Sequence, residues 1–291
     1  MRRVSVLVGS LVFVSAVAGA QDLGRNAETW TWDGRVESGR WFRLSSVNGP
    51  VTVEPSNDNM VHVRAEKEIG RGSVSDVAFQ VIQSGGDVRV CALWRRDVCD
   101  EDGLHSRRRD DDDDRDRDRD RDRDRRDVKV RFIVRIPSGV RLSAGTVNGE
   151  MRVRDLSSDV RASTVNGGVE VRNVGGEVRA TTVNGGVDVT TRNGPVEATT
   201  VNGSVNVKMA ALRNEGDMRF QTVNGDVIVE TPPSLDARVS LSTLHGSISS
   251  DYPVQITGRF GPRRASGTIG GGGREIEMGT VNGSIELRKS R

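Results

Sequence analysis

The sequence predicts an all-β protein, a parallel β-solenoid whose coils take 18 residues each, with two short strands per coil. Three observations carry this. A nine-residue period runs from Thr146 as TVNGEMRVR, DLSSDVRAS, TVNGGVEVR, NVGGEVRAT, TVNGGVDVT, TRNGPVEAT and TVNGSVNVK. The Asn of each V-N-G falls at 148, 166, 184 and 202, a constant step of 18, and self-similarity at a fixed period is the signature of stacked repeats. Apolar and polar side chains alternate within the blocks, and no segment sustains a helical period.

Each block reads as one strand and one turn. After Asn-Gly, Val169 and Val171 flank Glu170, and Val187 and Val189 flank Asp188; in the intervening half-repeats Val178 and Ala180 flank Arg179. Period two puts one face inward and one in water, and the small inward side chains let two sheets approach closely. Rungs stacked about 4.8 Å apart would bring like residues into columns. Asn148, Asn166, Asn184 and Asn202, with Asn224 and Asn282 from the looser copies TVNGDVIVE and TVNGSIELR, are therefore expected to form a structural amide ladder. The Thr before each V-N-G would stack likewise, and the Gly supplies the positive φ of a tight corner. TLHGSISS at Thr243 and SVNGPVTVE at Ser46 are further copies. An antiparallel β-meander is the alternative, because Asn-Gly is also a strong hairpin signal.

An open-ended stack needs covering. The N-terminal region carries Trp30, Trp32, Trp41 and Phe42, and then strand-like runs VTVEP, MVHVRAE, DVAFQVIQ, DVRVCALW and VKVRFIVRIP. It is expected to cap the solenoid and to be continuous with it. The domain reading is residues 1–20 a leader, 21–104 an N-terminal β region and cap, 105–127 a disordered insertion and 128–291 the repeat region. Residues 107–127 hold only ten Arg and eleven Asp, a tract that buries no apolar surface and reads as a solvated charged loop.

Arg2 and Arg3, the apolar run Val4 to Ala18 and the small residues Ala18-Gly19-Ala20 have the order of a secretory signal. No later stretch is apolar enough to span a membrane. The expected compartment is the periplasm, cell surface or extracellular space. In an oxidising compartment Cys91 and Cys99, in CALWRRDVC, are expected to form a local disulfide.

The composition narrows the function classes. Forty-three basic and 41 acidic residues leave a formal net charge of +2, which argues against coating nucleic acid or an anionic membrane. Three His and two Cys are too few for a zinc ribbon, a haem or an iron–sulfur protein, so no cofactor and no metal site are expected. Glu150, Gly168, Gly186 and Ser204 share one place in four rungs, so no acid recurs where a calcium-binding β-roll needs one.

The run VKVRFIVRIPSGVRLSAGTVNGEMRV, the stacked V-N-G repeats and the ending SGTIGGGGREIEMGTVNGSIELR resemble the bacterial "toastrack" or putative-adhesin β-repeat family. The resemblance spans roughly Trp41 to Leu287 apart from the Arg/Asp tract. It implies a cell-envelope protein, with some family members accompanying envelope-stress systems, and no catalytic residues to carry over.

The functional expectation is an exported, non-catalytic envelope protein presenting a rigid repeat surface for adhesion or scaffolding. Its expected partners are an envelope polysaccharide or a surface protein. The alternatives are an envelope-stress sensor component and a polysaccharide-processing enzyme. The enzyme would use Glu170 and Asp188, which share an outward column with Arg152 and Asn206 and would stand about 5 Å apart by rung spacing, close to the carboxylate separation of retaining glycosidases. The opposing reading is a solvated column in which Arg152 pairs with Glu170. His62, His105 and His245 read as structural or exposed, and Gly270–Gly273 lacks the GK[ST] and helix of a phosphate loop.

Overall fold

A computed structural model describes residues 24–94, 97–106, 128–212, 216–258 and 262–290. Residues 1–20, expected from the sequence to be a leader, and the Arg/Asp tract 107–127 lie outside the described residues. Within them the chain forms an eleven-stranded sheet, a twelve-stranded sheet and a small two-stranded hairpin, with one 3-10 turn at Val74–Asp76.

The alternation builds both sheets. In Val169–Val174 the valines at 169 and 171 are buried while Arg172 is exposed; in Val178–Thr181, Val178 and Ala180 are buried. Each strand pairs in parallel with the strand one repeat later, Val169 beside Val187 and Val178 beside Val196. One coil thus gives one strand to each sheet, and the inner faces enclose a single Val- and Ala-rich core. The antiparallel meander is not adopted: all V-N-G rungs pair in parallel, and antiparallel pairs occur at the two ends.

The core widens toward the ends. Ala162, Ala180 and Ala198 line the middle, whereas Phe42, Leu44, Phe79 and Phe132 fill the N-terminal end, and Met218, Phe220, Leu241 and Met278 the other. At the N-terminal end Thr29–Gly34 and Val61–Ile69 join the eleven-stranded sheet antiparallel, and Val77–Ser84 closes the twelve-stranded one. Trp30 stacks on Phe79 with ring centres 4.7 Å apart, and Phe79 meets Phe132 edge-on at 6.0 Å. Trp41, grouped with these aromatics in the sequence, instead faces outward, with the guanidiniums of Arg161, Arg43 and Arg141 at 4.6, 5.5 and 5.7 Å from its ring centre.

Lys67 pins the cap. Its buried ammonium donates to the carbonyls of Gly24, Arg25, Val74 and Val77 at 2.7–3.0 Å, and burial draws its pKa down to about 8.

The rungs do not follow chain order. The coil formed by Arg274–Asn282 and Ile285–Lys289 lies between the coil ending in Val227–Thr231 and the coil formed by Ala237–His245 and Ile248–Ser250. At the other end Val51–Pro55 lies between Val128–Ile136 and Met151–Arg154, so the copy beginning at Ser46 joins the stack beside the one beginning at Thr146. His105 and Ser106, read from sequence as the start of the insertion, pair with Val98 and Asp97 in the hairpin Asp97–Cys99 and Leu104–Ser106.

Candidate binding surface

Each coil turns from the twelve-stranded to the eleven-stranded sheet through T-V-N-G, and the four residues divide the work. The Thr side chain points in and is buried. Its hydroxyl donates to the Gly carbonyl of the neighbouring rung, as from Thr164 to Gly149, Thr182 to Gly167, Thr200 to Gly185 and Thr280 to Gly225, all at 2.8–2.9 Å. The Asn residues form bridges in the order 48, 148, 166, 184, 202, 224, 282. Their amides are linked rung to rung, Asn166 to Asn148 at 2.7 Å, Asn184 to Asn166 at 2.8 Å, Asn202 to Asn184 and Asn224 to Asn202 at 2.9 Å, and Asn282 to Asn224 at 2.8 Å. The Gly lets backbones meet: a Cβ at Gly185 would stand 2.1 Å from the Gly167 carbonyl oxygen.

The Val turns out. Val147, Val165, Val183, Val201, Val223 and Val281, with Leu244 of T-L-H-G, are each 37–41% exposed. Such repetition of an aliphatic side chain at a solvent-facing position is not explained by burial in the core. Beside this crest run the exposed asparagines, with His245 in line next to Asn282. The flanking columns are Gly145, Ser163, Thr181, Thr199, Gln221, Gly279 and Ser242 on one side, and Glu150, Gly168, Gly186, Ser204, Asp226, Ser284 and Ser247 on the other. Across these four columns only Glu150 and Asp226 carry a carboxylate, and no Lys or Arg occurs. The adjoining outward columns are charged, with Arg152, Glu170 and Asp188 on one sheet and Arg161, Arg179, Glu197, Arg219 and Glu277 on the other.

The acids singled out in the sequence lie on that charged face. Glu170 and Asp188 are in-register neighbours on parallel strands. Glu170 pairs with Arg172, with Arg154 at 3.4 Å and with Arg152 at 3.6 Å, while Asp188 accepts from the Asn206 amide at 3.0 Å. An open cleft of about 610 Å³ lies at the C-terminal end, lined by Arg238, Val254, Gln255, Ser266 and Thr268 among others, and includes neither acid.

Cys91 and Cys99 are joined as a disulfide with Cα atoms 6.4 Å apart, tying the small hairpin to the strand Asp87–Trp94. Among the described residues no group of three or more His, Cys, Asp or Glu is arranged to hold a metal. His62 bridges Asp33, at 2.5 Å from Nδ1, and Asp58, at 3.0 Å from Nε2; these carboxylates, Asp33 foremost, raise its pKa above the usual 6.5. His105 lies 3.1 Å from Asp100. Sequence reasoning passed over two members of the corner, Asn48 and the Val crest. Asn48 carried its signal in SVNGPVTVE; the crest lies where a turn interrupts the alternation, so its phase could not be read by counting.

The sequence model of the Toastrack DUF4097 family matches residues 138–288, just over half of the chain. Two solved structures align with it. One is a "putative cell adhesion protein" from Clostridium sporogenes ATCC 15579, 9% identical, covering 90% of this chain and 99% of that one at a TM-score of 0.35. The other is a "putative adhesin" from Bacteroides fragilis NCTC 9343, 10% identical, covering 90% of this chain and 98% of that one at a TM-score of 0.39. A search among curated proteins finds no match. Among the described residues no helix is long and apolar enough to cross a membrane.

Proposed function

We propose that this chain, which belongs to the Toastrack DUF4097 family, is an exported, non-catalytic protein of the cell envelope that binds or scaffolds through a surface repeated on successive rungs. The observation that carries this reading is the uncharged V-N-G corner, which offers the same aliphatic side chain and the same amide at rung after rung. Several weak contacts engaged together give strong attachment without a deep site. The supporting observations are of two kinds. Glu170 spends its carboxylate on three arginines on an open sheet face, an arrangement that suits a solvated strand column better than acid–base chemistry. The disulfide and the signal-like order of residues 1–20 both suit an oxidising compartment reached by export.

The test is co-sedimentation of residues 21–291 with cell-wall and outer-membrane fractions, with supernatants assayed for new reducing sugar ends. Saturable binding without sugar release is the expected result. Release of sugar ends that disappears in Asp188→Asn would replace this reading with a polysaccharide-processing one.

A further inference from the structure

We propose that the V-N-G corner is a binding site for an uncharged, extended polysaccharide chain lying along the crest, with one sugar ring to each rung. The assignment rests on the non-catalytic binding reading above and names its ligand class.

Shape comes first. The four columns, which run from Gly145 to Glu150 in one rung with Thr146 and Gly149 between them, cover five residue steps of about 3.3 Å and are at most roughly 17 Å wide, and seven rungs at about 4.8 Å span roughly 29 Å. That footprint, on the order of 500 Å², is about three-fifths of the ~800 Å² that one partner brings to a stable protein–protein interface. A globular partner, or a second copy of this chain, would touch only the crest. A linear polymer would lie along all of it.

Chemistry narrows the polymer. The strip has no Lys or Arg to neutralise phosphates or carboxylates, and the charged faces start on either side of it. An anionic chain therefore has no counter-charge on the crest. An extended peptide repeats its side chains every two residues, about 6.6 Å, and falls out of step with a 4.8 Å ladder within two rungs. A chain of sugar rings advances by close to one rung per ring, and although successive β-1,4-linked rings are turned over, both edges carry hydroxyls, so every rung meets one. Along the ladder Asn166, Asn184, Asn202 and Asn224 each use one N–H and one oxygen lone pair. Each retains a second of both on an exposed side chain, a donor and an acceptor at each of these rungs that match a sugar hydroxyl, itself donor and acceptor. The Val methyls beside them offer apolar surface to the C–H face of a ring.

The experiment is calorimetric titration of residues 21–291 with β-1,4-linked N-acetylglucosamine oligomers and glucose oligomers of two to seven units. Three proteins are compared: the unaltered chain, the crest variant Val165→Lys/Val201→Lys, and Lys208→Gln, a change at an outward residue of Val205–Met209 that pairs with Glu230 at 2.9 Å on the charged face. Urea denaturation of each verifies the fold, and sedimentation velocity reports self-association. Affinity should rise with each added unit up to about seven, in keeping with the number of exposed rungs. The crest variant should bind at least about tenfold more weakly, from loss of apolar contact at two rungs, and Lys208→Gln should bind as the unaltered chain does. Absence of binding in both series, affinity independent of length, or a folded crest variant that binds normally would overturn the assignment. So would self-association that the crest variant abolishes. Retained binding to envelope fractions alongside any of these results would leave the broader function standing; loss of both would remove the two together.

Discussion

Replacing Gly185 by Ala is expected to destabilise the solenoid by about 2–6 kcal/mol, while the same change one residue later costs almost nothing. At Gly185 φ is +155°, and a Cβ would stand 2.1 Å from the Gly167 oxygen, 2.5 Å from its carbon and 2.9 Å from the Gly168 nitrogen. These are backbone atoms of the neighbouring rung and cannot rotate aside. Relieving the contact to 3.0 Å requires the rungs to part by about 0.9 Å. The Asn184–Asn166 and Thr182–Gly167 bonds, both 2.8 Å, then open beyond hydrogen-bonding distance. Backbone strain of about 1–3 kcal/mol and two lost bonds at about 0.5–1.5 kcal/mol each give the stated range. At Gly186 the nearest atom to a Cβ is 3.5 Å away, and other rungs place Glu150, Ser204, Asp226 and Ser284 there. Ala at 186 should lie within about 1 kcal/mol of the unaltered chain, or stabilise it slightly by restricting the unfolded state. Urea denaturation midpoints of the two variants decide it. Equal damage at 185 and 186, or none at 185, would show that the close approach of the corners does not govern stability.

Thr182→Val keeps the buried shape but removes the donor to Gly167, and should cost about 1 kcal/mol in the same denaturation assay; Thr200→Val should add a similar amount. Replacing Cys91 and Cys99 by Ser opens a short loop and should cost roughly 2–3 kcal/mol, with reduction of the unaltered chain by dithiothreitol giving the same fall. The pH dependence has a definite sign: because Asp33 and Asp58 raise the pKa of folded His62, its stabilising contribution is fully present below about pH 6.5 and is lost as pH rises through the folded value. Melting His62→Gln beside the unaltered chain should therefore show a difference that is largest at acidic pH and narrows above neutrality.

The repeat was legible because stacking is a local rule. An Asn 18 residues from the last one meets it whatever the rest of the chain does, so Asn148 to Asn202 could be placed in one column by counting. Rung order was not legible. The copies at Thr243 and Thr280 have inward residues of similar size and chain order points to the nearer one; the one faint mark of the finished order is that Asn282 of T-V-N-G continues the amide ladder of Asn224, where T-L-H-G offers His245 instead. In the fold Arg263–Ile269 pairs antiparallel with one edge of Ala237–His245, and Arg274–Asn282 takes the other. The candidate surface was half legible: the amides showed in the V-N-G period, but the outward Val did not, because the corner geometry, not strand alternation, sets its direction. Glu170 and Asp188 were placed in register by the same counting, yet the approach of Arg154 and Arg172 to Glu170 depends on side-chain reach that a column diagram leaves out.

The interleaved rungs bear on the order in which the molecule can be assembled. A chain made from its N-terminus could zip each coil of the middle region onto the last as soon as it emerged. Ala237–Ser250 has no such surface waiting for it, because its neighbour in the finished stack is the later-made stretch Arg274–Lys289. Residues 237–250 must therefore wait, unpaired on that side, until some forty more residues have been delivered, and the strand that arrives last becomes the keystone between two earlier ones.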